Sequence, residues 1–437
     1  MDPFVRSNLK LALTGKKIAL GITGSVAAFK ACDVIRFLKQ CGAEVRVILT
    51  ESARQFVTSV TCENLSGNPV GTSLWQGVGT HHIEMARWAD LFLVTPASAN
   101  TIGKLAQGLA DDLLSTELLA FKGPVLIAPA MNPGMWDHPA VQANVQKCKD
   151  YGYRMINPVE GVTACGEVGK GRLPEPDEIV EEVADAFRAP LNGKKVLITL
   201  GPTRSFVDPV RYLTNRSSGK MGSALAWSAY RRGYEVTVVQ GDCEVRLPKS
   251  IQVSRASTAK QMRTLVLDQW SQSDIFISAA AVLDWDVKNP AAQKLKKTQS
   301  LQVEFEKNPD ILKEVAQMAK DHQFVVGFAA ETREPVHNGM SKLKNKNVNA
   351  LFVNDVSSSH QGFESDLNAG WWMNAEDTVE LPQASKAEIA DSIFMLIEGD
   401  KPKDTRWIIH QPQSSSARPH KKIRFKKTKR LLEERSH

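Results

Sequence analysis

Two stretches far apart in this chain open in the same way. Gly15-Lys16-Lys17 leads into the apolar run IALGITGS, and Gly193-Lys194-Lys195 leads into VLITLGPT. Each run ends in glycine, hydroxyl and turn residues. Each is followed by an amphipathic stretch of helix length and then by a second apolar run, VRVILT at 45–50 and VTVVQG at 236–241. Strand, helix, strand at this spacing specifies a βαβ unit and therefore a parallel sheet. Further apolar runs follow at Leu91–Pro96, Val125–Ala130, Ile275–Ala280, Val325–Ala330 and Ala350–Asp355. Near-continuous apolar strands suit a sheet covered by helices on both faces. The expected fold is α/β, two doubly wound parallel-sheet domains of Rossmann or flavodoxin-like type in series. Each is expected to bind its ligand at the carboxyl ends of its strands.

The chain has 437 residues, room for two or three domains. Pro190 and the Asn192-Gly193 pair punctuate the junction. The expected division is an extension at 1–14, a first domain at 15–189, a second at 190–400 and a basic tail at 401–437. That tail carries 12 Lys or Arg against 3 Asp or Glu, so the net charge of +7 arises there and the first 400 residues stand at −2. A like-charge run of this kind reads as a solvated tail, with weak attraction to RNA or a membrane surface as the alternative. No specific nucleic-acid partner is expected. No apolar run approaches the ~20 residues of a membrane helix, and no cleavable leader is read at the start. Six scattered cysteines with no CxxC pair argue against a zinc site or a disulfide framework, so the cytoplasm is the expected compartment.

In the first domain, Gly24 and Ser25 form a turn between strand and helix, where backbone N–H groups and a hydroxyl can hold a phosphate. Many α/β domains carry such a turn with no ligand. Ser52 lies after the second run, and Ser98 and Asn100 after the third. Three strand ends bearing small polar groups could line one crevice. Asn132 follows the fourth run, where an Asn is often only a helix cap. His82 precedes the third run, and a lone His is often a surface or packed residue. Cys165 lies in the glycine-rich stretch GVTACGEVGKGR, a poor place for a core residue.

The segments GSVAAFK, TES at 50–52, HIEM, PASANT, GLADDLLST, PAMN and ACGEVGKGR, in this order and spacing, resemble the phosphopantothenoylcysteine decarboxylases, a branch of the homo-oligomeric flavin-containing cysteine decarboxylases. The resemblance implies FMN held between subunits, with Gly24, Ser25, Ser52, Ser98 and Asn100 touching it. His82 matches the catalytic His, Asn132 the substrate-positioning Asn and Cys165 the proton donor. The implied chemistry converts the substrate CH2–SH to a thioaldehyde. CO2 then leaves and the resulting enethiolate is reduced and protonated.

In the second domain, Gly201-Pro202-Thr203-Arg204 follows a strand. Asp208-Pro209-Val210-Arg211-Tyr212 comes next, and then Asn215 opens NRSSGKMG, dense in hydroxyls, glycine and cations. This is no Walker A loop. Lys294-Leu295-Lys296-Lys297 reads either as a solvated charge run or as a mobile set of cations closing on a triphosphate. Asp284 could bind nucleotide or Mg2+, or be a surface carboxylate. GPTR, DPVRYLTN, SSGKMG, AAVLDW, KLKK, KNPDIL, VVGFAAET and NDVS together resemble phosphopantothenate–cysteine ligase.

Bacterial members fuse that ligase behind the decarboxylase in this order and use CTP. The resemblance implies that 4′-phosphopantothenate attacks CTP to give an acyl-cytidylate, which the amine of L-cysteine then opens. Asn215 would hold the acyl-cytidylate and Lys294 would neutralise nucleotide charge. Asp284, Lys288 and Phe328 are weaker carry-overs for the nucleotide pocket, and Asp284 also for Mg2+. Leu283 and Trp285 depart from the family pattern beside Asp284. The resemblance also implies a homo-oligomer with trimeric decarboxylase and dimeric ligase contacts, compatible with a dodecamer. A flavin-binding phosphatase regulator and a flavin prenyltransferase are the competing readings. The first is opposed by the presence of His82, Asn132 and Cys165 together, the second by the ACGE loop and the fused ligase.

Overall fold

A computed structural model describes residues 1–75, 83–296, 301–331, 333–355, 365–400 and 406–408. The chain divides into two compact units, Met1–Arg188 and Ala189–His437. In the first, β1 (Lys17–Ile22), β2 (Glu44–Leu49), β3 (Leu91–Ala97), β4 (Val125–Pro129) and β5 (Arg154–Met155) form a parallel sheet in the order β2-β1-β3-β4-β5. The apolar runs are these strands. β3 is buried at every residue, as a strand covered on both faces must be. The helix Ala28–Gln40 buries Ala31, Val34, Ile35 and Leu38, the face its 3.6-residue period brings together. Phe92 meets Phe121 edge to face with centroids 5.0 Å apart. Phe92, fully buried, contributes roughly 1.5–3 kcal/mol. A hairpin of β6 (Val159–Val162) and β7 (Val168–Arg172) lies outside the sheet.

The first fourteen residues are not an appendage. Asp2 accepts from the backbone N–H groups of Phe4 and Val5, and Pro3 takes the first helical position. The helix Pro3–Leu13 then buries Phe4, Val5, Leu9 and Leu13, packing on the helices Ala28–Gln40 and Pro176–Asp185. Val5, Leu9 and Leu13, four apart, form the apolar face that makes this stretch a packed helix where an extension is expected from sequence.

In the second unit, β8 (Lys195–Leu200) starts the main sheet. A small pair of β9 (Arg204–Phe206) and β10 (Tyr212–Thr214) follows, then β11 (Glu235–Gln240), β12 (Gln252–Arg255) and β13 (Ile275–Ser278). β14 (Trp285–Val287) pairs with β15 (Phe305–Lys307), and β16 (Phe324–Glu331) and β17 (Ala350–Asp355) complete the parallel part. Its order is β12-β11-β8-β13-β16-β17, the doubly wound pattern whose direction reverses between β8 and β13. β18 (Leu367–Asn374), β19 (Thr378–Ser385) and β20 (Arg406–Ile408) extend it antiparallel. β20 corrects the tail boundary. A tail set at 401 leaves out Arg406–Ile408, whose backbone pairs with Thr378–Glu380; a strand edge is a template for any short β-prone segment that follows.

Candidate functional sites

In the first unit, the strand ends form one ridge. Thr23, just past β1, donates from Oγ1 to Pro96 O (2.8 Å) and accepts from Ser98 N (2.8 Å). Ser98 in turn caps the helix Ala99–Gln107 by accepting from Thr101 N. Ala130 N donates to Ala97 O, so the end of β4 joins the same edge. β1 and β3 flank the point where the strand order reverses, where open α/β sheets bind ligands. Gly24 and Ser25 sit there. A Cβ on Gly24 would lie 2.4 Å from the Cβ of Ser52, so only glycine permits this approach of the two strand ends. The helix Ala28–Gln40 begins without a side-chain cap, and among the described residues Ser25 Oγ accepts only from Ala27 N. Ser52 and Asn100 are exposed on the same edge.

Asn132 and Cys165, 33 positions apart, are neighbours. Asn132 caps the helix Pro133–Asp137 by accepting from Gly134 N with Oδ1 (2.8 Å). That bond fixes the amide, so Nδ2 donates to Cys165 Sγ (3.3 Å) and Glu167 Oε2 (2.9 Å). The helix-cap reading and the site reading therefore describe one geometry. Thr163 Oγ1 lies 3.0 Å from Cys165 Sγ and 3.0 Å from Glu167 O, which closes the tip of the β6–β7 hairpin. Met131 N donates to Gly171 O, holding this hairpin against the strand-end loop. Gly171 has φ +151°, and a Cβ there would come within 2.3 Å of Met131 O. The hydrogen bonds from Thr163 and Asn132, and the backbone N–H of Glu167, hold the exposed Cys165 thiol below its ordinary pKa. Cys41 and Cys148 are pushed up to about 11 by burial.

His82 lies outside the described residues. The helix Glu84–Trp88 begins two positions later, and Ile83 gives it no side-chain cap. Glu117 supplies one from another helix, accepting from Met85 N (3.2 Å) and Ala86 N (2.7 Å). Glu117 is 1% exposed, and burial raises its pKa to about 7. Sequence reasoning passed over Glu117, Thr163 and Glu167. The signal for Glu117 was an acid on the buried face of the apolar segment LLSTELLA.

In the second unit the corresponding edge lies between β8 and β13. Ala281 N donates to Gly201 O, and Leu283 N to Thr203 Oγ1 (3.0 Å). Asn215, one residue past β10, donates from Nδ2 to Val282 O (3.1 Å) and more distantly to Ala281 O (3.4 Å). Its amide is thereby fixed over the strand reversal. Phe328, in β16, is half-buried with its ring 5.2 Å from that of Phe352. Asp284 is exposed, and its backbone carbonyl accepts from Asn308 N. Lys288 is exposed and paired with Glu304 (2.7 Å), an arrangement that sequence could not reveal. Lys294 is exposed on a loop, while its neighbour Leu295 is tied down through both backbone groups. Among the described residues, no three His, Cys, Asp or Glu side chains converge as a metal site, and no helix is long and apolar enough to cross a membrane.

Known proteins match both units. The Flavoprotein family matches residues 6–188, and the DNA/pantothenate metabolism flavoprotein C-terminal domain matches 191–399. The chain is 43% identical over 395 residues to the coenzyme A biosynthesis bifunctional protein CoaBC of Vibrio vulnificus (strain YJ016), covering 88% of this chain and 98% of that one. The protein of the same description from Bacillus subtilis (strain 168) is also 43% identical over 395 residues, covering 88% and 97%. A solved C-terminal domain of CoaBC is 35% identical, covers 48% of this chain and 98% of its own, and superposes with a TM-score of 0.41. With a flavoprotein unit followed by its pantothenate-metabolism partner, and identity sustained across both, the chain belongs to the bifunctional coenzyme A biosynthesis proteins.

Proposed function

We propose that the C-terminal unit couples 4′-phosphopantothenate to L-cysteine at the expense of CTP, and that the N-terminal unit decarboxylates the product to 4′-phosphopantetheine. The observation that carries the decarboxylase reading is the Asn132–Cys165–Thr163–Glu167 cluster at the carboxyl end of β4 in a flavoprotein fold.

The residues at that reversal fit a phosphate-bearing flavin. Ser25 and the uncapped helix start offer donors, Gly24 keeps the approach open, and Ser52, Ser98 and Asn100 add polar groups along the same edge. FMN, when bound, supplies the two-electron chemistry that turns an α-carboxylate into a leaving group. Asn132 holds the substrate carboxylate or amide through Nδ2 once substrate displaces Glu167, its orientation set by the Gly134 bond. Cys165 delivers a proton to the enethiolate carbon. Thr163 and Asn132 steady the thiolate left behind, which is why the thiol is the stronger acid. His82 is the base.

In the ligase half, Asn215 holds the acyl-cytidylate and Lys294 balances phosphate charge. Phe328 lines the nucleotide pocket and Lys288 contributes once released from Glu304. Asp284 would supply a carboxylate to Mg2+, which would offset charge on the nucleotide phosphates. The cytoplasm is the compartment where these substrates meet. Val26 and Phe29, 53% and 61% exposed beside the Gly24 turn, support subunit contacts of the N-terminal unit there, and the trimeric and dimeric contacts of a dodecamer belong to the same proposal.

The test is Cys165→Ser supplied with preformed 4′-phosphopantothenoylcysteine. CO2 release should continue, with dioxygen reoxidising the reduced flavin after each turnover, and the product should carry two hydrogens fewer than 4′-phosphopantetheine. Saturated thiol formed at the normal rate would remove Cys165 from the role.

A further inference from the structure

The turn between β9 and β10 holds a carboxylate whose connections reach well beyond the turn. Asp208 is 1% exposed. Its Oδ1 accepts from Val210 N and Arg211 N, both at 2.8 Å, which shapes the turn itself. Its Oδ2 accepts from Arg211 Nε (2.9 Å) and Nη2 (2.6 Å), and from Leu295 N (3.1 Å). Arg211 Nη2 also donates to Leu295 O (2.9 Å), and Ala291 N donates to Val207 O (2.9 Å). Both backbone groups of Leu295 are thus held by one Asp–Arg pair. The residue before Leu295 is Lys294, whose side chain is exposed. The strand leaving the turn, β10, ends one residue before Asn215.

A lysine that neutralises a phosphate must place its ammonium within a few ångströms of one oxygen, and a loop without helix or strand does not do this unaided. Here the loop backbone is pinned at the adjacent residue. A buried carboxylate needs its partners, since an unpaired one is strongly disfavoured. Arg211, whose fork reaches carboxylate and carbonyl together, suits the task better than a lysine would. The same guanidinium holds the Asp208 carboxyl well below the usual carboxylate range, so the clip stays charged across the working pH.

We propose that Asp208 is a positioning residue of the ligase half, which acts on the nucleotide through Lys294 by fixing the backbone at Leu295 and ties the Lys294 loop to the hairpin that presents Asn215. This rests on the reading of Lys294 as a nucleotide-binding cation.

The experiment is a double-mutant cycle on the full chain, with pyrophosphate release from CTP and 4′-phosphopantothenate as the readout. Asp208→Asn should lower kcat/KM for CTP by about 100-fold, the scale set by a misplacement of about 1 Å. In a Lys294→Gln background the same change should cost less than about threefold, because the group it positions is already gone. An equal loss in both backgrounds would overturn the proposal while leaving Lys294 in place. Full activity of Lys294→Gln alone would overturn both. Should Asp208→Asn lose its unfolding transition, Arg211→Lys enters the cycle instead. It keeps a cation beside Asp208 but cannot span to Leu295 O, and it must show the same dependence on Lys294.

Discussion

Cys165 should be the first of the six cysteines to react with iodoacetamide in the folded protein. At pH 7.5 a thiol with the ordinary pKa of 9.0 is ~3% thiolate, and Cys165, held below 9.0, exceeds that. Cys41, Cys148 and Cys243, pushed up to about 11, are ~0.03% thiolate, and Cys62, at about 12, is lower still. A more basic thiolate is intrinsically more nucleophilic, and a Brønsted slope of ~0.45 returns roughly a factor of 8 over two pKa units. Ionisation alone therefore leaves Cys165 faster by at least about tenfold. Exposure adds to this, because Cys165 is exposed while Cys41, Cys62 and Cys148 are buried. Cys32, only partly buried, is also raised by burial and should lag. Brief alkylation followed by peptide mass spectrometry measures the order. Asn132→Ala removes a donor to the sulfur and leaves Glu167 without that partner, so labelling at Cys165 should slow. Cys32 or Cys243 labelling as fast as Cys165, or no slowing in the Asn132 variant, would refute the hydrogen-bonded thiolate.

Asn215→Asp should reduce conjugate formation by at least about 100-fold, because a carboxylate placed against Val282 O and Ala281 O is repelled, while decarboxylation of preformed substrate continues. Normal conjugate formation would remove Asn215 from the site. Glu117, with a folded pKa of about 7 against an ordinary 4.5, binds its proton more tightly when folded. Its contribution to stability is full below pH 4.5 and is lost as pH rises through 7, by at most about 3 kcal/mol. Glu117→Gln should flatten that decline in denaturant titrations at pH 5 and pH 8, and an unchanged slope would contradict the assignment. Gly171→Ala forces a Cβ toward Met131 O and should cost about 1–3 kcal/mol of stability or displace the Asn132 loop, seen as lowered thermal stability or lowered decarboxylation. Wild-type behaviour in both would show that the loop yields.

Most of the parallel strands were legible because a strand buried on both faces must be apolar along its length. β3 and β13 are of this kind. The antiparallel extension was not, since β18 and β19 alternate and carry Asn, Gly and Glu that read as loop. The helix Pro3–Leu13 was overlooked although Asp2 and Pro3 mark its start. In the candidate sites, Asn132 and Cys165 were visible because a cap residue and a glycine-flanked cysteine are odd in their settings. Their adjacency was not, because it depends on how the β6–β7 hairpin folds back onto the end of β4. Asp208 was visible only as part of a motif, since its partners at Leu295 lie far along the chain.

The most direct test of the whole account is mass spectrometry of a reaction containing purified chain, 4′-phosphopantothenate, L-cysteine, Mg2+ and either CTP or ATP. The account predicts 4′-phosphopantetheine together with CMP and pyrophosphate in the CTP reaction. No cysteinyl conjugate with either nucleotide would contradict the ligase half, and conjugate that is never decarboxylated would contradict the other.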